Sequence, residues 1–396
     1  MPFASDGQRR ENRHVRAEIV EPLEAAIRDL RDLDLGEAFE PRAAAALVDA
    51  GLHRSCVPVE AGGLGATMVE AAEVLLALGA IDGSTALGFA MQVHVTGALR
   101  DDTLVDAAVR DALFRSVVDE GALVNNAATE EGGGSPSRGA IPGTTARADD
   151  AGGWRLTGEK TWTTWLPNLT HAFVTARLPE ATRGAEDRTL EIGTFLVDLR
   201  GGGVERREGF EALGMRASAS GRLVLVDVPG TLVWRRRAGE PDPRGAGPGA
   251  WFAMVMAATY LGVGEGARDE VIRWAIDHRP GDGSTAVADL PSVQLRLGRL
   301  DAELRAARIV VLAAAGRWDA DRDPADIPLA KTVATRAAAS ATDEALRIAG
   351  GPGFLAGRLE RAFRDARAGL INPPLEDVAL TGLARALIDD ARADRS

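Results

Sequence analysis

The order in which two kinds of residue pattern follow one another limits the fold more than any single motif. From about Val15 to Val117, alanine and leucine recur at three- and four-residue spacing, and Ala71, Val74, Leu78 and Ile81 form one such stripe. Beyond Gly121 the character changes. Segments such as "WRLTGEKTWTT", "HAFVTARL", "IGTFLVDL" and "RLVLVDV" are short, rich in Val, Thr, Phe and Trp, and separated by Gly/Asp/Pro turns, which predicts strands up to about Trp234. A connector, "RRRAGEPDPRGAGPGA", leads into a second helical block from Trp251 to the end, where Val293, Leu297, Leu300, Leu304, Ala307 and Val311 keep to one face. Helices, then strands, then helices, with no strand–helix alternation, argue against a doubly wound parallel sheet.

Length and composition narrow the function classes. The chain has 396 residues, 45% of them apolar and 26% charged, a balance that fits a folded protein with a large core. A formal net charge of −12, with no Lys/Arg stripe that reverses it locally, argues against nucleic acid as a partner. The single cysteine, Cys56, has no internal partner for a disulfide, and five scattered histidines offer little for a metal. The longest apolar run, Trp251 to Val263, is too short to cross a bilayer, and the first residues lack a signal-peptide core, so a cytoplasmic protein is expected. GxSxG, HExxH and GxxxxGK[ST] are absent, and no GxGxxG lies between a strand and a helix.

Four segments remain that could carry chemistry. "ATEEGGGSPS", Ala128 to Ser137, joins hydroxyls to a glycine backbone open enough to approach an anion or a ring edge, although a surface turn has the same composition. "GEKTWTTW", Gly158 to Trp165, sets Trp162 beside Thr163 and Thr164 in a predicted strand, where alternation sends neighbours to opposite faces. An ordinary core tryptophan would look alike. "LGMRASASGRL" follows at Leu213 to Leu223. "RIAGGPGF", Arg347 to Phe354, offers backbone amides at Gly350 and Gly351 that suit a phosphate or a plain helix end.

Together these segments resemble the acyl-CoA dehydrogenase superfamily of flavoproteins. "PVEAGGLGAT", "TEEGGGS", "GEKTWTT", "LGMRASAS" and "GGPGF...LERAFRDAR" stand in that family's order over nearly the whole chain. The resemblance implies an α+β multi-domain fold: an N-terminal helical domain (1–118), a middle β-barrel or sandwich domain (119–240) and a C-terminal four-helix bundle (241–396). It implies a flavin cofactor, FAD, with FMN or free reduced flavin as the variant for a monooxygenase. Ala128 and Thr129 would lie along the pyrimidine side of the ring, Trp162 and Thr164 would cover its other face near N5, and Ser135 would meet the carrier part of an acyl thioester, on CoA or an acyl-carrier protein. Gln294, Arg347, Gly350 and Gly351 would hold the dinucleotide, across the subunit boundary of a homodimer or homotetramer. Two departures stand out: the family's R-x-x-F-G segment is replaced by "HRPGDGSTAVADLP", and Arg347 takes the place of a glutamine.

Removing a thioester's α proton needs a carboxylate beside it. Alignment on "RDAR" puts Asn372, Pro373 and Pro374 where the family commonly has that glutamate, and Phe252 where some relatives have it. Two titratable groups could act instead. Glu376, a few residues on, is a displaced base or, on local rules, a helix-start acid together with Asp377 after an Asn372 cap and Pro373. His94, in the apolar "GFAMQVHVTGAL", is a satisfied core residue or a group that assists oxygen chemistry. The leading expectation is α,β-dehydrogenation of an acyl thioester. The alternative is a monooxygenase of the same fold that uses reduced flavin and O2 to hydroxylate a small molecule.

Overall fold

The computed structural model describes residues 15–132, 141–150, 152–179, 190–281 and 283–394. Four helices dominate the first third: α1 (Ala17–Arg31), α2 (Pro41–Asp49), α3 (Met68–Ile81) and α4 (Gly83–Arg100), followed by α5 (Ala107–Glu120). Thr67 starts α3 with a reciprocal cap, its hydroxyl accepting from the Glu70 amide while the Glu70 carboxylate accepts from the Thr67 amide. Asp82 ends α3 and caps α4 by accepting the Thr85 N–H at 2.7 Å, so the two helices meet at one residue. The predicted stripe Ala71, Val74 and Leu78 is buried, but so is most of the rest of α3 and nearly all of α4. Helices covered on every side belong in the middle of a molecule rather than on its surface.

Among the described residues seven strands follow: β1 (Val124–Ala127), β2 (Thr145–Ala148), β3 (Trp154–Thr163), β4 (His171–Arg177), β5 (Glu191–Asp198), β6 (Val204–Arg207) and β7 (Gly221–Arg237). β2 pairs with β3, β3 with β7, β7 with β5, β5 with β4, and β4 touches β2 at Thr145–Arg177, so these five strands close on themselves. Closure leaves few free edges. β7 runs to Arg237, three residues past the expected end near Trp234, because Arg235, Arg236 and Arg237 stay paired to β5.

The remaining chain forms α6 (Gly247–Asp277), α7 (Pro291–Asp321), α8 (Ile327–Ala349), the short α9 (Gly351–Phe354), α10 (Arg358–Ile371) and α11 (Glu376–Ala393). α6 begins four residues before the expected Trp251, since Pro248 suits a first helical turn. The α7 stripe is buried at Val293, Leu300, Leu304, Ala307 and Val311, with Leu297 packed partly against it. Asn372 does not cap α11. It closes α10, and α11 starts at Glu376 behind Leu375, with Glu376 and Asp377 in its first turn. No helix among the described residues is long and apolar enough to cross a membrane.

α4 is the hinge of the arrangement because it touches both other parts. On the β side, Gly88 lies under the Trp165 ring, where a Cβ would come within 2.0 Å, and Gln92 accepts the Val124 N–H at 2.8 Å. On the α6 side, Gly83 meets Val263 and Gly97 meets Trp251. The 213–220 loop is fastened between these parts: Asp365 of α10 accepts the Met215 N–H at 2.5 Å, and Gly214 lies against the Arg364 carbonyl. Burial pushes the Asp365 carboxyl up to about 7, with the Asp82 carboxylate adding to the shift and the Met215 amide, Arg361 and Arg364 opposing it. The folded protein therefore holds this proton more tightly than the unfolded chain does. The contribution is complete below the ordinary carboxylate range and is lost as pH rises through about 7. Asp365→Asn keeps the acceptor and removes the charge, so its melting temperature relative to the parent should rise between pH 5.5 and pH 8.5. An offset equal at both pH values would refute the assignment.

Candidate active site

Trp162 stands where β3 loses its alternation. Its φ is +58°, the β3–β7 register shifts between Lys160 and Thr163, and the indole is left 60% exposed while Thr163 and Thr164 both turn inward. A bulge of this kind re-aims a side chain at a sheet edge. Phe210 meets the indole edge-on at 5.4 Å and 80°, which leaves ring surface uncovered. The expected segregation of tryptophan and threonines to opposite faces is thus replaced by an outward indole followed by two buried hydroxyls. Thr164 shares a hydrogen bond of 2.9 Å with Ser220, and Ser220 one of 2.8 Å with Ser218, both serines belonging to the "RASAS" segment.

Thr129 is brought beside Trp162 by its carbonyl, which accepts the Thr161 N–H at 2.9 Å, and Ala128 by its carbonyl, which accepts from Thr175 at 3.5 Å. The next residue, Glu130, anchors the segment. Its carboxylate accepts from Lys160 at 2.6 Å, from the Thr144 hydroxyl at 2.6 Å and from the amides of Gly143 and Thr144. Lys160 is fully buried, and burial draws it down to about 8 against the pull of Glu130. Burial also acts to raise Glu130, but the hydrogen bonds from Lys160 and Thr144 outweigh it and hold the carboxyl below its usual range. The pair is ionised at neutral pH and ties the Thr129 segment to β3. Ser135 lies outside the described residues.

Gln294, Arg347, Gly350 and Gly351 gather at one end of the helical bundle, where Val293, Ile348 and Ala349 share a small apolar cluster. Gln294 is exposed and donates to the Ala288 carbonyl, and Arg347 pairs with Asp343 one turn earlier. Gly350 adopts φ +63° at the end of α8, as a helix-terminating glycine does.

Of the positions aligned with a base, Phe252 lies on one stripe of α6, and Asn372, at the end of α10, reaches the same stripe. Phe252, Met256 and Tyr260 are spaced by four, so they share a face over about 12 Å. His94 meets Phe252 in an edge contact, with ring centroids 5.1 Å apart at 70°. His94 is buried, its Nδ1 has no hydrogen-bond partner among the described residues, and burial, helped by Arg244, pushes its pKa down to about 3. The imidazole is therefore neutral at any working pH. At the other end of the stripe, the Asn372 amide Nδ2 lies 2.5 Å from the Tyr260 hydroxyl and 3.9 Å from Met256 Sδ. Glu376 is elsewhere engaged: both its oxygens pair with Arg336, which holds the carboxyl below its usual range. The sequence had marked Phe252 and Asn372 as gaps. Met256, Tyr260 and Lys331 escaped notice because nothing distinguishes them locally from core residues.

Residues 9–101, 125–228 and 250–387 match in turn the N-terminal, middle and C-terminal domains of acyl-CoA dehydrogenase. The chain belongs to the acyl-CoA dehydrogenase family. It is 34% identical over 348 residues, 85% of this chain and 87% of the other, to the Bacillus subtilis (strain 168) protein named "Putative acyl-CoA dehydrogenase YdbM". It is 29% identical over 375 residues to L-evernosamine nitrososynthase of Micromonospora sp. (strain ATCC 39149 / NRRL 15099 / SCC 1413), covering 87% of this chain and 82% of that one. Among solved structures it superposes with a TM-score of 0.75 at 25% identity, over 98% of this chain and 95% of the other, on KijD3 in complex with FMN and dTDP-3-amino-2,3,6-trideoxy-4-keto-3-methyl-D-glucose.

The Lys160–Glu130 pair gives a stability test. Lys160→Met should lower the unfolding free energy in urea by about 3 kcal/mol, because it leaves a carboxylate without its cation in a dry place. Adding Glu130→Gln should recover part of that loss. Equal stability of Lys160→Met and the parent would contradict the ionised, buried pair.

Proposed function

We propose that this chain is a flavin-dependent monooxygenase, which oxygenates a small molecule with a reduced flavin and O2. The observation that carries the reading is His94: a dry, neutral imidazole with an unpartnered Nδ1, set against Phe252 at one of the two positions where relatives place a carboxylate base. The other position holds a neutral amide, and Glu376 is turned to Arg336. Among the described residues, neither aligned position offers a carboxylate to take the α proton of a thioester. The site can donate or accept a hydrogen bond at the His94 ring without carrying charge.

The residues present fit a flavin ring. The Trp162 indole is 60% exposed with Phe210 against one edge, and Thr129 is tied beside it, while the Thr164 hydroxyl is turned inward to Ser220. Bound there, the flavin would supply the electrons and the reaction with oxygen. Trp162 would stack on its face, the Thr129 and Ala128 backbone would flank its edge, and the buried Thr163, Trp165 and α4 would keep water out. FMN is the proposed form. Gln294 and Arg347, the residues proposed to grip an adenine dinucleotide, are exposed and already bonded within their own helical end. The relatives named nitrososynthase, and the FMN bound to KijD3, support the same reading and make an amine the first substrate class to try. Exposed apolar residues on α11, among them Val378, Leu387 and Ile388, support assembly with further copies.

The reading is tested by two experiments on the purified protein loaded with FMN. Mixed anaerobically with acyl-CoA thioesters of graded chain length, the flavin should keep its colour. Supplied with reduced FMN, air and a panel of amines, the protein should form an oxygenated product, and His94→Ala should slow this by roughly tenfold, the worth of one neutral hydrogen bond. With His94 held near 3, the pH profile should carry no inflection from it above pH 5. Thioester-dependent bleaching at turnover rates would establish a dehydrogenase instead.

A further inference from the structure

The segment between α1 and α2, residues 32–40, is fastened to the molecule more by charge than by packing. None of its residues is buried, although Leu33, Leu35 and Phe39 lie partly against the core. No main-chain N–H from Asp34 to Glu40 makes a hydrogen bond among the described residues. The strap is held by Arg361, which donates to the Leu35 carbonyl, and by Arg364, whose two Nη atoms grip the Glu37 carboxylate at 2.6 and 3.1 Å. Few buried contacts and a solvated backbone mark a segment that opens locally at low cost.

Glu37 also reaches the 213–220 loop. Its Oε2 accepts from Arg216 at 3.3 Å, and the Arg364 Nη1 that holds the same oxygen donates to the Leu213 carbonyl at 3.1 Å. One carboxylate thus clamps two chain segments. The loop is strained: Met215 and Ala219 have φ of +55° and +45°, a left-handed conformation that side-chain-bearing residues hold only under constraint. Between strap and loop lies a solvent-open cleft of about 240 Å³, walled by Leu35 and Phe39 on one side and by Thr85, Trp165 and Ala217 on the other. Trp165 and Ala217 adjoin Thr164 and Ser218, and the Trp165 N–H donates to the Ser218 carbonyl at 2.8 Å. The cleft therefore backs onto the segments proposed to carry the flavin.

We infer that residues 32–40 are a gate for flavin exchange, closed by Glu37, which latches the strap to the 213–220 loop. This rests on the monooxygenase reading and adds a means of regulation to the same site, since a protein supplied with reduced flavin must admit and release it. The latch is soft. Glu37 and Arg216 are each nearly half exposed, so their attraction is screened by salt and small on the scale of the fold. Arg364 is better covered, but it is also paired with Glu360 at 2.8 Å, so opening leaves no buried charge unmatched. Both ends of the strap are anchored, because α1 buries Leu23 and Leu30 and α2 buries Ala43 and Leu47. Motion is thereby confined to the segment between them.

The gate is read from the rates of FMN binding and release by the purified protein, followed by flavin fluorescence. A gate sets the barrier and not the end states, so Glu37→Gln should raise both rates about fivefold, the worth of a screened ion pair, and leave Kd within about twofold of the parent. Arg216→Gln, which breaks the latch from the loop side, should act in the same direction. Raising salt from about 0.05 M to about 0.5 M should quicken the parent likewise and Glu37→Gln hardly at all. Thermolysin, which cuts before large apolar residues, should cleave at Leu33, Leu35 or Phe39 about fivefold faster in Glu37→Gln than in the parent. Glu40→Gln, at the strap's end and paired with Arg42, should change none of these readouts. Rates in Glu37→Gln equal to the parent's, or a Kd that moves in step with the release rate, would overturn the gate while FMN binding upholds the flavin reading. Failure of the parent to bind FMN at all would strike that earlier reading instead.

Discussion

The close approach of α3 to α6 is the contact on which the rest depends. Gly79 lies so near the Thr259 carbonyl that a Cβ would come within 2.5 Å, and Gly262 and Gly266 stand equally close to the Leu76 and Ala80 carbonyls. Any side chain at these three positions would prise the helices apart. Because α4 continues from α3 after the single residue Asp82, seating α3 against α6 also seats α4. Gly83 then finds Val263, Gly97 finds Trp251, and His94 is delivered to Phe252. The placement of His94 is a consequence of backbone proximity about two to four turns away along α6.

A second theme is how the interior treats charge. Burial drives His94 towards its neutral form, lifts Asp365 and Tyr260, and lowers Lys331, so each is poised on the uncharged side or close to it. Where a full charge is kept inside, as at Lys160, it is matched by a carboxylate that has further donors of its own. Glu376 shows the opposite case. At the start of an exposed helix it is free to meet Arg336, and it stays ionised there rather than entering the stripe. The same sorting that stabilises the fold leaves the α6 stripe lined with neutral donors and acceptors.

Much of this was visible in the residues. The three blocks and the stripes of α3 and α7 follow from periodicity, turn composition and family resemblance, whereas the tie between the Thr129–Glu130 segment and β3 is found only in the structure. The bulge at Trp162 was not visible in the residues either, since a positive φ at a tryptophan has no local signal and is imposed by the pairing of β3 with β7. The role of Asn372 was also misjudged. Its sequence context, before two prolines and two acids, favours a helix cap, but Tyr260 and Lys331 claim its side chain and carbonyl from other helices.

From the linear order alone came the class of fold, the segments proposed to flank a ring, and the absence of a carboxylate at Phe252 and Asn372, because each depends on residue type and spacing. Which side chains stand together was decided only by the packed structure. Phe252, Met256 and Tyr260 become a stripe with His94 at one end and Asn372 at the other because α4, α6 and α10 converge, and those three helices are far apart in the chain. Side-chain neutrality was decided there too, since it comes from the water that packing removes rather than from any neighbour in sequence.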